Sequence, residues 1–242
     1  MGSWCVSPVT NFSSIFNNLD GGTLTKFNQD INDWDVSNVV GMKDMFSFAY
    51  SFNQPLHKWN VSRVTDMSGM FQGADAFDQP LNDWDVSAVK TMRFMFTGAD
   101  AFNQPLDNWD VSSVTDMHSM FANTVSFNQT LDSWDVSFVT DMYSMFNSAR
   151  DFNQPLNFWD VSSVSDMSFM SWRTMAFNQP LSRWNVAAVE RMQSMFLDAI
   201  SFNQDLCSWG PQLDNTTFVQ HIFGCGFFAG GTSDGPRLCP AF

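Results

Sequence analysis

A fixed period of 25 residues constrains this chain more than any other feature. Phenylalanine recurs at Phe27, Phe52, Phe77, Phe102, Phe127, Phe152, Phe177 and Phe202, and tryptophan keeps step at Trp34, Trp59, Trp84, Trp109, Trp134, Trp159, Trp184 and Trp209. A period of that size, kept without a slip, means stacked structural units whose apolar faces are buried only by their neighbours. The interior is therefore expected to be one continuous column. The aromatic content supports this: 26 Phe and 10 Trp against 2 Tyr are mostly apolar filler, and the 16 Met suit gaps between coils.

One unit shows the expected build. Leu56, Trp59 and Val61 have the spacing of a leucine-rich repeat, and Trp59 and Val61 alternate with Asn60, which predicts a short strand with Trp and Val inward. Ser62 then reads as a helix N-cap. Val64, Met67, Met70, Phe71 and Ala74 fall on one face of a short helix. Gly73 and its equivalents Gly98, Asn123, Ser148 and Asp198 read as the helix stop, where a left-handed conformation is needed. The fold class expected is thus an α/β repeat solenoid: leucine-rich-repeat-like coils of a short parallel β-strand plus a short helix, about nine coils in a single domain. Residues 1–26 read as an N-terminal partial coil with a loop insertion at Asp20-Gly21-Gly22. Residues 27–206 read as seven regular coils, and 207–242 as a stretched last coil and a C-terminal cap. The unit starting at Phe152 departs from the pattern. Ser171 stands where other units have Phe, and Trp172 is expected to fill the gap or to stand exposed as a contact.

The charge of −14 argues against nucleic acid and anionic membrane surfaces as partners. No apolar run is long enough to span a bilayer. No signal peptide is visible, since Met1-Gly2-Ser3 runs directly into the repeat pattern, and a mature or truncated chain is expected.

Two repeated columns carry possible chemistry. Gln29, Gln54 and their equivalents follow Asn in every unit but one, where Asp78 stands. A residue repeated in every coil solves a problem every coil has, so these read as a stacked amide ladder. Asp35, Asp85, Asp110, Asp135 and Asp160, in file with Asn60 and Asn185, form an outward acidic column. It could hold Ca²⁺, or each Asp could accept nearby backbone N–H groups in an Asx turn; the turn reading is favoured. Of four cysteines, Cys207 and Cys225 bracket the last coil and are the favoured disulfide; Cys239 is an alternative partner for Cys225, and Cys5 lies at the other end. Sequons at Asn11, Asn60 and Asn215 are candidate glycosylation sites.

No catalytic constellation appears. His57, His118 and His221 occupy different registers, and there is no zinc, P-loop or nucleophile-elbow motif. The chain reads as non-enzymatic, with no cofactor. The variable outward positions His57, Lys58, Arg63, Phe94, Phe138, Tyr143, Phe158 and Trp172 are the candidates for partner contact, because exposed aromatics are over-represented at interfaces.

The string Phe52-Asn-Gln-Pro-Leu56, continued by Trp59-x-Val61-Ser62-x-Val64-Thr-Asp-Met67-x-x-Met70-Phe71, resembles the BspA-like surface-protein repeat family. The family comprises leucine-rich-repeat-like units of about 25 residues in bacterial surface proteins and in secreted proteins of some unicellular eukaryotes. The resemblance runs from about Trp4 to Phe223. Val64 departs from the leucine-rich consensus, which has Asn or Cys there. The resemblance implies an extracellular or cell-surface location and a role in adhesion, with a protein or glycan ligand. The alternative is a structural subunit or spacer of a larger extracellular or lumenal assembly, in which case oligomers are expected.

Overall fold

A computed structural model describes residues 6–18, 26–213 and Ile222. The fold follows from where the backbone N–H groups go. In the segment from Met67 to Ala74, alternate amides point along the stack. Met67, Gly69, Phe71 and Gly73 donate to the carbonyls of Thr91, Arg93, Met95 and Thr97 in the next coil, at 3.2, 2.7, 2.9 and 2.7 Å. The amides between them, Met70, Gln72 and Ala74, close turns onto Met67, Gly69 and Phe71 at 3.2, 3.1 and 3.1 Å. The segment is a run of overlapping turns that also pairs with its neighbour. The reversals need left-handed residues, and Gly69 and Gly73 supply them with φ of +61° and +62°. Asp44 and Phe48, Phe94 and Gly98, and Ser119 and Asn123 do the same in other coils.

This corrects the expected α/β coil of strand plus helix. Among the described residues there is no α-helix and no extended strand; a 3₁₀ helix runs over Cys207–Gln212. Parallel pairing is reduced to single-residue bridges running Asn11, Gly41, Asp66, Thr91, Asp116, Asp141, Asp166 and Arg191. The helix reading fails for a physical reason. A left-handed residue at every fourth position interrupts the helical backbone, and the register of the stack offers alternate amides a carbonyl in the next coil instead of one four residues back. The expected inward set is still inward: Val64, Met67, Met70, Phe71 and Ala74 are all fully buried. The left-handed positions read as helix stops are indeed left-handed, at Gly98, Asn123, Ser148 and Asp198, but they end turns rather than helices. The Trp59–Val61 alternation also holds, with Asn60 exposed between two buried residues, though no strand forms there.

The interior is built from ladders. Where one unit passes into the next, two rings stack face to face: Phe71 on Phe77 at 4.1 Å and Phe96 on Phe102 at 4.1 Å. Between units the same rings step upward, Phe96 to Phe121 at 5.6 Å and Phe121 to Phe146 at 5.7 Å. In the repeated column from Trp59 to Trp209 each indole N–H reaches back into the preceding coil, as Trp109 Nε1 donates to the Leu81 carbonyl at 2.9 Å and Trp134 Nε1 to that of Leu106 at 2.9 Å. The buried donor is thereby satisfied, which explains why this position carries Trp and not Phe.

The amide ladder is present as expected. Asn53 Oδ1 accepts the N–H of Asp78 at 3.0 Å and Gln79 Nε2 at 2.9 Å. One rung on, Asp78 Oδ1 accepts Asn103 N–H at 3.0 Å and Gln104 Nε2 at 2.9 Å. Only an acceptor oxygen is used at this rung, so Asp serves where Asn is the rule.

The N-terminal partial coil docks in register: Phe12, Ser14 and Phe16 donate to Gly41, Lys43 and Met45. The expected Asp20-Gly21-Gly22 loop lies outside the described residues. At the far end, Cys207 is disulfide-bonded. Cys225, its expected partner, lies outside the described residues, as do Cys5 and Cys239.

Candidate functional site

The acidic column resolves into Asx turns. Asp35, Asp85, Asp110, Asp135 and Asp160 each accept the N–H of the serine two residues on, at 3.0–3.1 Å. Asn60 does likewise for Ser62, which was expected to cap a helix and here closes this turn. Serine hydrogen bonds hold the carboxyls of Asp35, Asp110 and Asp160 below the ordinary value. Among the described residues, no group of three or more His, Cys, Asp or Glu gathers as a metal site. No helix among them is long and apolar enough to cross a membrane.

The outward candidates fall into separate places. His57 Nε2 meets Asn32 Nδ2 at 3.2 Å, Lys58 pairs with Asp33 at 2.6 Å, and Arg63 bonds Asn38 Oδ1 at 3.1 Å. Phe138 stands 64% exposed, and Phe158, 66% exposed, lies under the Arg183 guanidinium at 4.7 Å. Of the sequon asparagines, Asn11 and Asn60 are exposed and both accept Asx-turn bonds; Asn215 lies outside the described residues.

Phe94, Tyr143 and Trp172 belong together. Phe94 and Tyr143 lie between the paired methionines of the units starting at Phe77 and Phe127, Trp172 lies just after the second methionine of the unit starting at Phe152, and His118, in the unit between the first two, and Phe169 join them. Phe94 packs edge-on to His118 at 4.9 Å, His118 stacks on Tyr143 at 4.7 Å, Tyr143 packs edge-on to Phe169 at 5.6 Å, and Phe169 meets Trp172 at 5.7 Å. The result is a continuous aromatic strip, half-exposed along its length. Trp172, expected either to fill the gap at Ser171 or to stand exposed as a contact, packs on Phe169 and is only partly exposed, with its Nε1 buried and without a hydrogen-bond partner. The two residues not among the outward candidates, His118 and Phe169, had a signal. Aligned on their Met-x-x-Met segments, consecutive units read Arg93-Phe94, His118-Ser119, Tyr143-Ser144 and Ser168-Phe169.

Three arginine–carboxylate ion pairs and one histidine–carboxylate contact flank the strip. Arg93 meets Asp116 at 3.3 Å, His118 Nδ1 meets Asp141 at 3.5 Å, Arg191 meets Asp166 at 2.8 Å and Arg173 meets Asp198 at 3.3 Å. Arg173 also covers the Trp172 ring at 4.9 Å. The adjacent carboxylates Asp116 and Asp141 are pushed in opposite directions. Burial raises Asp116 and prevails over the His118 N–H and Arg93. Burial also acts on Asp141, but the His118 and Tyr143 hydrogen bonds and the nearby positive charges outweigh it, and its carboxyl ends below the ordinary value.

Phe94 and Phe169 are held in the left-handed region, with φ of 56° and 58°. Their equivalents are Asp44, Gly69, Ser119, Ser144 and Ser194. A bulky residue there costs on the order of 1–2 kcal/mol. Phe48, off the strip, is held in the same region with φ of 58°, so this conformation belongs to the repeat as a whole.

The family described as "Mycoplasma protein of unknown function, DUF285" matches residues 1–109, 99–209 and 152–225 of this chain, in three overlapping segments. A comparison with curated proteins gave no match.

Proposed function

The chain belongs to the DUF285 family, and from that premise and the geometry of the strip we propose that it is a non-enzymatic recognition scaffold that holds a protein or glycan partner on its outer aromatic face. One observation carries the reading: Phe94, His118, Tyr143, Phe169 and Trp172 form an unbroken half-exposed strip over neighbouring coils. Aromatic residues with few rotatable bonds are the usual anchors of interfaces. The arginine–carboxylate pairs leave the strip a near-neutral window on a chain of net charge −14, so the acidic surroundings select against anionic partners. The 25-residue motif also supports the narrower reading of a BspA-like surface repeat, with a secreted or cell-surface location and an adhesive role.

The test is binding of the purified chain to a glycan array and to immobilised matrix and cell-surface proteins, repeated with variants. His118→Ala with Tyr143→Ala, and Phe94→Asn, are expected to lower binding at least tenfold. Phe138→Ala, which lies off the strip, is expected to leave it intact. Binding that survives every strip variant contradicts the proposal.

A further inference from the structure

The middle rings of the strip cover one another, which leaves their edges to the solvent. His118 and Tyr143 stand 4.7 Å apart and within 14° of parallel, so each takes one face of the other. Phe94, from the preceding coil, closes on His118 at 4.9 Å and 63°, and Phe169, from the following coil, closes on Tyr143 at 5.6 Å and 62°. At the two ends guanidinium groups lie over the rings, Arg93 on Phe94 at 5.7 Å and Arg173 on Trp172 at 4.9 Å. A sugar binds an aromatic side chain by laying its C–H groups on an open, electron-rich ring face. The middle of this strip has its faces occupied, and its edges suit the apolar side chains of a protein.

One carboxylate beside these edges is open to a cation. Asp116, Asp166 and Asp198 each meet an arginine, at 2.8–3.3 Å. Asp141 instead meets His118, whose Nδ1 lies 3.5 Å from Oδ2, while Oδ1 accepts the Tyr143 N–H at 2.8 Å. The Asp141 side chain is 34% exposed, against 23% for Asp116 and 13% for Asp166, so a cation from outside can reach it. Arg93 and Arg191 act on Asp141 at longer range, each held by its own carboxylate. The His118 contact is an ion pair only while the imidazole is protonated, and imidazole is the side chain whose charge changes between about pH 5 and 8. Asp141, Asp116, Arg93 and the Tyr143 phenol are the charged and titratable groups around it.

We propose that the strip receives a protein segment that sets an apolar side chain on the edges of His118, Tyr143 and Phe169 and a lysine or arginine on Asp141, and that protonation of His118 releases it by engaging Asp141 in the partner's stead. The inference rests on the reading of the strip as the recognition face. The net charge of −14 steers a basic segment toward the chain. The Asp141 carboxyl is held below its ordinary value, so it stays ionised as pH falls from about 7.5 to 5 and offers its charge to whichever cation is beside it.

Random peptides of about twelve residues displayed on phage, selected at pH 7.5 on the immobilised full chain, supply the probe. A selected peptide without histidine is then measured by fluorescence anisotropy. The enriched sequences are expected to pair Lys or Arg with a nearby apolar residue. Phe94→Asn and Asp141→Asn are each expected to weaken the peptide at least tenfold at pH 7.5. Asp160→Asn removes the same charge outside the strip, in a column where Asn60 and Asn185 are native, and is expected to change nothing. The native chain is expected to lose at least tenfold between pH 7.5 and 5, and His118→Phe, which keeps a ring and carries no charge, to show no such loss. Circular dichroism checks that each variant is folded; if Asp141→Asn is not, glutamine in place of the peptide's basic residue removes the same contact from the other side and is expected to cost the same tenfold. No enriched peptide, indifference to Asp141→Asn, an equal loss in Asp160→Asn or a pH response that persists in His118→Phe overturns the proposal, as does a glycan bound at the strip in place of a peptide. If Phe94→Asn still abolishes binding in such a case, the strip remains the recognition face and only this inference falls; a peptide that survives Phe94→Asn removes both.

Discussion

The amide ladder makes a sharp prediction at Asn153. Its Oδ1 accepts Asn178 N–H at 2.9 Å and Gln179 Nε2 at 3.0 Å, and Gln179 Nε2 has a second acceptor in the Asn153 carbonyl at 3.1 Å. Replacement by alanine removes an acceptor from two half-buried donors. The side-chain donor keeps its second partner, so its loss is about 0.5–1 kcal/mol, while a backbone amide left unpaired costs about 1–3 kcal/mol. Asn153→Ala should therefore destabilise the chain by about 1.5–4 kcal/mol. Asn153→Asp keeps the acceptor oxygen, as Asp78 does in the native ladder, and its ladder neighbours Asn128 and Asn178 are neutral. It should change stability by no more than about 0.5 kcal/mol at pH 7. Guanidinium unfolding followed by tryptophan fluorescence measures both, with equal slopes required for the comparison. The reasoning fails if aspartate is as damaging as alanine, or if alanine is harmless.

Other outcomes follow from the same geometry. Trp109→Ala removes a buried indole that stacks on Trp134 at 6.4 Å and bonds the Leu81 carbonyl, and should cost about 3–5 kcal/mol in the same assay. Trp109→Phe should cost less, because the Leu81 carbonyl still accepts the Trp84 N–H at 3.0 Å. The two carboxylates beside the strip should respond oppositely to pH. Asp141 titrates below its ordinary value of 3.8, so its contribution is complete above that pH and lost as pH falls below it; Asp141→Asn should destabilise at pH 7 and converge with the native chain in strong acid. Asp116 titrates above 3.8, so its ionisation works against the fold as pH rises, and Asp116→Asn should be harmless or stabilising at pH 7. Thermal melts from pH 2 to 8 decide between these signs.

Much of the architecture could be read from the residues because the period is strict. The inward positions, the aromatic column, the amide ladder and the left-handed positions were all visible. Secondary structure was not, and the reason lies in Val64, Met67, Met70, Phe71 and Ala74. Their spacing brings them to one side in a helix and equally in a run of turns, and only the destination of the amides separates the two. That destination depends on a neighbouring coil 25 residues away, which local propensity does not see. The clue was also masked. Gly69 and Gly73 advertise left-handed backbone, but Asp44, Phe48 and Phe94 occupy the same positions in other coils. The strip was half legible for a similar reason. Phe94, Tyr143 and Trp172 stand out as outward aromatics, whereas His118 enters the sequence reading only as one of three histidines at different registers and Phe169 is not singled out by it. Their contact arises from the register between coils.

The central claim is that the segment between the paired methionines pairs with its neighbour coil instead of forming a helix. Scalar coupling through hydrogen bonds tests this most directly, in a deuterated, ¹³C,¹⁵N-labelled sample. The account predicts a correlation from the Phe121 amide nitrogen to the carbonyl carbon of Met145, the pair observed at 2.9 Å. A correlation from Phe121 to the carbonyl of Met117, four residues back, would contradict it.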